Sequence, residues 1–243
     1  MNRLTTFVIG LAITFGVPWF LLIAMPHGAM QDLAEVRYDE DSDGEPEHSV
    51  FPPGRSGRVA DGHTVYARNG CAYCHTQMVR PTYLGNDRWR DGWGGRGENW
   101  EGEEAAIPVR ETVPHDYLGE PFAFLGIQRN GPDLSNVGWR IQDKKWHHLH
   151  LYNPRAVREW SNMPSFRHLY KVQEIVGQPS ENALALEGDA APEIGYEVVP
   201  TGEAEALVSY LLSLRKDYQL PRAIAGPAQQ AVAAGGATTA PAP

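Results

Sequence analysis

The sequence predicts a mainly α-helical protein, in which a transmembrane helix at the N-terminus precedes a helical domain with loop insertions. Three observations support this prediction. Residues 4–25 carry no charged side chain, residues 202–216 place apolar side chains at helical spacing, and the only two cysteines stand in a Cys-x-x-Cys-His stretch at residues 71–75. The 243 residues suit one domain of ordinary size with additional segments.

The N-terminal run, Leu4–Met25, is long enough to cross a membrane. As a helix its 22 residues would reach about 33 Å, and the hydrocarbon core of a bilayer is about 30 Å thick. A cleaved signal peptide is the alternative, but its apolar region is normally about 7–15 residues long. Arg3 precedes the run, and eight carboxylates lie among residues 32–47. By the positive-inside tendency we expect a cytoplasmic N-terminus, with the rest of the chain on the outer side.

The chain after the anchor divides into three parts. Residues 26–56 are acidic and rich in Pro and Gly, which is typical of an extended linker. Residues 57–220 form the expected domain, in which the segments at about 82–120 and 178–201 are interpreted as insertions. Residues 221–243 have low complexity and are predicted to be a disordered tail. Helices are expected near residues 57–70, 143–151, 154–160 and 202–216.

One glycine in the first domain helix predicts how two helices pack. Gly62 and Tyr66 are four residues apart and therefore share a helix face. A glycine on that face lets another helix approach closely, and the apolar helix at residues 202–216 is the expected partner. The alternative is that Gly62 only begins the helix.

The net charge bears on the class of partner. The formal net charge is −9, which disfavours nucleic acid because phosphate binding needs clustered Lys and Arg. A basic protein partner and a merely soluble acidic surface are both compatible with this charge.

Cys71, Cys74 and His75 carry the most specific chemical signal in the chain. A thioredoxin-like pair would need a βαβ setting, a zinc site would need further ligands, and a disulfide across two residues would close a very small loop. The Cys-x-x-Cys-His order instead matches covalent attachment of one haem c. One helical turn presents both thiols to the haem vinyl groups, and the next residue can bind the iron. Since haem c is attached outside the bacterial cytoplasm, we expect a cytochrome c-like α-helical domain in the periplasm, held by a single pass through the inner membrane.

A second iron ligand is expected on the opposite face of the haem. Three methionines belong to the anchor or follow it closely, and Met78 is too near His75 to reach that face. Met163 remains, 88 positions after His75 and before Pro164, which prevents the helix from continuing. Core filling is the alternative for a lone methionine. The rival ligands are four histidines, the first three expected on the surface of one helix: His147, His148, His150 and His168.

The stretch Asn130–Arg140 is expected to form the loop beneath His75. The carbonyl of Pro132 is predicted to accept a hydrogen bond from Nδ1 of His75, which would fix the ring and increase its donor strength. Arg80 and Arg140 are candidate partners for the haem propionates, with solvated surface as the alternative. With Met and His ligands both bound, the iron would carry electrons rather than react with oxygen or peroxide, so no catalytic residue is predicted.

Four stretches behind the anchor resemble the mono-haem cytochrome c subunit (the O subunit) of cbb3-type cytochrome c oxidases. They are GCAYCHTQMVRP, EPFAFLGIQRNGPDLSNVGWR, HLYNPR and SNMPSF, in this order. TQMVRP is the specific part, because Cys-x-x-Cys-His alone fits many cytochromes. The resemblance implies thioether bonds at Cys71 and Cys74, with His75 and Met163 as iron ligands.

The resemblance also implies partners and a role. In this family an integral membrane subunit with haem b and copper reduces oxygen to water. The mono-haem subunit passes electrons to it from a di-haem subunit or a soluble cytochrome c. Three other functions stay open: the cytochrome c subunit of a nitric oxide reductase, a freestanding membrane-tethered shuttle, and a haem sensor or peroxidase with an open sixth site.

Overall fold

The computed structural model describes residues 2–38, 49–90, 92–93, 109–216, 220–221 and 224. Two compact units are present, one formed by residues 1–53 with 113–120 and the other by residues 54–112 with 121–243. Apart from Pro221 and Ile224, the predicted tail lies outside the described residues, as do residues 39–48 of the predicted linker and 94–108 of the first predicted insertion.

The N-terminal helix of the first unit has three consecutive parts. Helix α1 spans Arg3–Trp19, a π-helical turn spans Phe20–Ala24, and α2 spans Met25–Met30. Pro18 lies just before the π turn, and a proline removes a backbone donor and crowds the preceding turn. Within Arg3–Met30 an 18-residue window has a mean hydropathy of 2.3, and none of that window is buried by the part of the chain that the structure describes. It is long and apolar enough to span a membrane, which suggests a single-pass anchor.

Short strands flank the undescribed part of the predicted linker. Strand β1, Val36–Tyr38, pairs antiparallel with β2, Ser49–Phe51. These described parts of the predicted linker therefore pair with each other, and the interpretation of residues 26–56 as a linker stays a prediction. The first unit also contains a 3₁₀ turn, Pro114–Tyr117, in which Asp116 Oδ2 accepts a hydrogen bond from the Val113 amide at 2.8 Å.

The second unit contains the predicted helices. Helix α3 spans Gly57–Arg68, and a 3₁₀ turn at Cys71–Tyr73 follows it. The next three helices are α4, Val137–Arg140, α5, Lys144–Tyr152, and α6, Pro154–Val157. Strands β3, Tyr170–Glu174, and β4, Tyr196–Pro200, precede α7, Gly202–Ser213.

Helix α7 ends earlier than the sequence predicts because the chain turns away to bond with α4. The amide of Gly138 donates to the carbonyl of Leu214 at 2.9 Å, and the amide of Lys216 donates to Asn136 Oδ1 at 2.7 Å. These bonds occupy backbone groups that a longer helix would have used. At the other end, Thr201 caps the helix by accepting from the Ala204 amide.

Helices α3 and α7 cross at Gly62, as predicted. A Cβ on Gly62 would stand closer than 3.0 Å to the carbonyl of Ala206 and to the Tyr210 side chain. Around this crossing Tyr66, Leu207 and Tyr210 are completely buried. The crossing is therefore the centre of the apolar core of the second unit.

The segment at residues 178–201 is partly a strand rather than a loop. Its last residues form β4, which pairs antiparallel with β3, so that Val172 faces Val198. Glu197 accepts hydrogen bonds from the Ser180 amide at 2.7 Å and from Gln173 Nε2 at 2.8 Å. The hairpin was missed because β4 gains its partner 26 residues away, a relationship that local periodicity does not contain.

Candidate haem site

The two cysteines and the histidine lie on one tight turn at the end of α3. Gly70 adopts a left-handed backbone conformation, with φ at +68°, which ends the helix. The amides of Cys74 and His75 then donate to the carbonyl of Cys71 at 3.2 and 3.0 Å. The turn thus gathers all three side chains that a covalent haem c requires.

Both thiols are unbridged, and the environment of Cys71 disfavours redox exchange. Burial raises the pKa of the Cys71 thiol to about 12, and the neighbouring Cys74 adds to the increase. Since the thiolate is the reactive form in thiol–disulfide exchange, Cys71 lacks the lowered pKa of a catalytic thiol.

His75 is held by the loop that contains Pro132. Nδ1 of His75 lies 2.7 Å from the carbonyl oxygen of Pro132, to which it donates a hydrogen bond. Gly131 lies against the ring, where a Cβ would stand closer than 3.0 Å to three ring atoms. With its proton on Nδ1, the ring keeps the lone pair of Nε2 for a metal.

Several neighbours set the charge state of His75. Burial lowers the pKa of the ring, whereas the bond to Pro132 and the carboxylate of Asp133 raise it and Arg140 lowers it. The net effect is a pKa below the ordinary histidine value. The neutral imidazole that binds metals is therefore favoured.

Arg140 has a buried donor that suits an anionic group. Its Nη2 donates to the carbonyl oxygen of Asp133 at 2.7 Å, and burial lowers its pKa to about 10. Its Nε is also buried and has no hydrogen-bond partner among the residues that the structure describes. A haem propionate would satisfy such a donor, so the residues present fit a haem here.

Arg80 makes different contacts. Its Nε and Nη2 lie 3.0 and 2.9 Å from the two carboxylate oxygens of Asp87, which is completely buried. This ion pair gives Arg80 a structural role. Its predicted role as a propionate partner stays a prediction.

A buried polar network holds the segment after His75, and sequence reasoning did not identify its members. Arg129 forms a two-point ion pair with Asp87, at 3.0 and 2.9 Å, and also donates to the carbonyl of Met78. Asp133 accepts from Thr76 Oγ1 at 2.5 Å and from the Met78 amide at 2.8 Å. The Asp-x-Ser pattern at residues 133–135 was the one local signal, since such a pattern favours an Asp side chain that bonds the backbone two residues on.

Met163 lies on the loop that the sequence predicts. Its side chain is half-buried and packs against the apolar core, which Cys71 also contacts. Its amide donates to Ser161 Oγ at 3.2 Å. This position is compatible with both an iron ligand and a core side chain, so the ligand assignment stays a prediction.

The sequence predicts that three of the four rival histidines lie on the surface of one helix, but two of these three are buried. His147 and His148 are buried: Nε2 of His147 donates to the carbonyl of Ile141, and Nδ1 of His148 lies 3.2 Å from the Tyr170 hydroxyl. His168 is exposed and donates to Asn69 Oδ1. His150 stacks on Trp146, and burial together with the nearby His75 and His147 lowers its pKa to about 4.

Comparison with known families bears directly on this arrangement. The family model described as cytochrome c oxidase, mono-heme subunit/FixO, matches residues 113–197. The match confirms the resemblance to this family. The matched region contains the stretches around Pro132 and Met163 that resemble the mono-haem subunit. It does not contain the Cys-x-x-Cys-His turn. No curated protein matches the chain.

The resemblance agrees with the structural features described above. A mono-haem subunit of cytochrome c oxidase is a haem protein that takes part in electron transport within an oxidase complex. The apolar helix at Arg3–Met30 fits the transmembrane character of such a subunit. The second unit is rich in helices, with one two-stranded hairpin among its described residues.

Proposed function

We propose that this chain is the membrane-anchored mono-haem c subunit of a cbb3-type terminal oxidase. It relays electrons from a di-haem subunit or a soluble cytochrome c to a partner subunit that holds haem b and copper. The partner subunit, and not this chain, reduces oxygen to water. The second unit is the cytochrome c-like domain, and it faces the periplasm.

One contact carries this proposal: the hydrogen bond of 2.7 Å between His75 and the carbonyl of Pro132. His75 belongs to the Cys-x-x-Cys-His turn, which lies outside the matched region, and Pro132 lies inside it. The contact therefore joins the motif for haem attachment to the part of the chain that resembles the oxidase subunit.

Each site residue has a distinct part in holding the cofactor. Cys71 and Cys74 would hold the haem through their thiols, and His75 and Met163 would be its iron ligands. Pro132 fixes the orientation of the His75 ring, and Arg140 donates to a propionate. When bound, haem c supplies a centre that takes up and releases one electron.

Two features of the chain support a relay rather than a reaction with oxygen. The neutral ring of His75 and the thioether of Met163 would both serve as iron ligands, which would leave oxygen no ligand to replace readily. Met/His ligation also raises the reduction potential compared with two histidines. The His75 ring needs to move little when the haem gains or loses an electron, because Pro132 and Gly131 already restrict its orientation.

Measuring the consumption of oxygen and of nitric oxide by the intact complex tests this proposal against the rival functions. The complex would be purified from native membranes through a tag on this chain and supplied with reduced cytochrome c. We expect oxygen uptake. Rapid consumption of nitric oxide without oxygen uptake would favour a nitric oxide reductase subunit, and a monomer with a reversible haem but no partner would favour a tethered shuttle.

A further inference from the structure

We propose that Asp133 lowers the reduction potential of the haem, through its buried charge and by positioning the loop beneath His75. This inference rests on the proposed binding of haem c by His75. It adds a residue to the site that neither the sequence motifs nor the resemblance singled out.

The position of Asp133 in the loop is the first argument. Asp133 is completely buried and directly follows Pro132, whose carbonyl accepts the hydrogen bond from His75. The carbonyl of Asp133 in turn accepts a hydrogen bond from Arg140 Nη2 at 2.7 Å. Two successive carbonyl groups are thereby fixed, one towards the proximal ring and one towards the buried arginine.

The carboxylate of Asp133 ties this loop to the residues that follow His75. Oδ2 accepts from Thr76 Oγ1 at 2.5 Å and from the Met78 amide at 2.8 Å. Oδ1 accepts from the Ser135 amide at 2.9 Å and from the Ser135 hydroxyl. Four donors therefore converge on this one buried carboxylate.

The cations around the carboxylate of Asp133 also have other partners. Arg140 interacts with it electrostatically but donates its hydrogen bond to the Asp133 carbonyl. Nη2 of Arg129 lies 4.0 Å from Oδ2 of Asp133, but the same guanidinium makes two hydrogen bonds with Asp87. A buried negative charge acts strongly because the protein interior screens it less than water does. It stabilises the oxidised haem, which carries one more positive charge than the reduced haem, and so lowers the potential.

The hydrogen bond from His75 to Pro132 would also lower the reduction potential of the haem. A ring that donates Nδ1–H to a carbonyl is a stronger electron donor to the iron. Stronger donation again favours the oxidised haem. Asp133 contributes to this effect indirectly, because its contacts with Thr76 and Met78 keep the two halves of the site in register.

The test is the midpoint potential of haem c in the full-length chain within its complex, measured by optical redox titration. Asp133→Asn removes the charge with little change in volume. We expect the potential to rise, with the reduced-to-oxidised ratio at a fixed potential increasing by about tenfold, equivalent to about 59 mV for one electron. A potential equal to or below that of the wild type, with the ligation spectrum retained, would overturn the proposal.

Ser135→Ala is the matched control because it removes a donor to the same carboxylate and leaves the charge in place. We expect the midpoint potential of haem c in this variant to fall slightly, because the carboxylate loses one hydrogen-bond donor that offsets its negative charge. A purely structural role of Asp133 would loosen the site and admit water, which favours the oxidised haem. Both variants would then lower the potential, so a rise in Asp133→Asn separates the two explanations.

A further pair of measurements keeps the proposal testable if Asp133→Asn does not accumulate. Thr76→Val and Ser135→Ala each remove one donor, and unchanged potentials in both would contradict the inference. The haem c content of the wild-type chain separates this inference from the proposed function. Absence of covalent haem c refutes the proposed function, whereas normal haem c with unaltered potentials refutes only the role of Asp133.

Discussion

Gly131 lies directly against the imidazole of His75, so closely that a Cβ would stand within 3.0 Å of Cε1, Nδ1 and Nε2. The amide of Gly131 also donates to the carbonyl of Cys74 at 2.9 Å. The loop and the cysteine turn therefore meet at this glycine without room for a side chain. The orientation of the proposed proximal ligand depends on that close approach.

Gly131→Ala should displace the His75 ring and lengthen its hydrogen bond to Pro132. Overpacking of this kind costs about 1–3 kcal/mol, which is enough to populate a state with a weakened iron–histidine bond. We expect covalent haem to remain while the absorption spectrum loses its low-spin character. Gly54→Ala is the control, because a Cβ at Gly54 has no neighbour within 4 Å. A wild-type spectrum for Gly131→Ala would count against this role of the glycine.

Met163→Leu should open the sixth coordination position while it keeps most of the apolar volume that packs against the core. We expect the reduced haem to bind carbon monoxide, which the wild type should not do, and the potential to fall because the thioether is lost. Carbon monoxide binding is followed by difference absorption. The same measurement on His150→Gln distinguishes the main rival: carbon monoxide binding only in the histidine variant would refute the assignment of Met163.

Gly62→Ala should destabilise the second unit. The added methyl group would meet the carbonyl of Ala206, which is backbone and cannot rotate away. We expect a loss of about 1–3 kcal/mol, despite the better helix propensity of alanine. The midpoint of urea unfolding in detergent measures the effect. Thr64→Ala, at an exposed position on the same helix, should leave that midpoint nearly unchanged.

Asp87 should make stability depend on pH in the acid range. Burial alone raises the pKa of Asp87, but hydrogen bonds from Arg80 and Arg129 outweigh it and hold the pKa at about 2. The ordinary value in an unfolded chain is about 3.9. The carboxylate therefore contributes stability above pH about 4, and that contribution is lost as the pH falls towards about 2.

Asp87→Asn tests that contribution. We expect the variant to be less stable by about 3–5 kcal/mol at neutral pH, because two arginines lose their common partner. Its urea midpoint should also change less than that of the wild type between pH 4 and pH 2. The exposed carboxylate of Asp61 provides the comparison, and an equal loss in Asp61→Asn would argue against a specific role for the buried ion pair.

The features that the sequence predicted correctly are those with local signals. The charge-free run at residues 4–25 predicted a helix, which spans Arg3–Met30 in the structure, and a capping threonine with apolar spacing predicted α7. Gly62 indicated the helix crossing, because a glycine on the same face as Tyr66 lets another helix approach closely. Each of these properties is contained within about twenty consecutive residues.

The features that the sequence missed depend on residues far apart in the chain. Arg129 pairs with Asp87 across 42 positions, and Thr76 bonds Asp133 across 57. The ion pair of Arg80 with Asp87 was not foreseen either, and the role of Arg80 as a propionate partner stays a prediction. Neither spacing nor composition predicts which carboxylate a buried arginine meets.

Cofactor content of the purified complex tests the central claim most directly. The chain would be isolated from native membranes through a tag, its mass determined, and haem b, haem c and copper counted per copy. We predict one covalent haem on a peptide that contains Cys71 and Cys74, together with haem b and copper from a co-purified membrane subunit. A chain with unmodified cysteines, or with haem c but consistently without haem b and copper, would contradict the account.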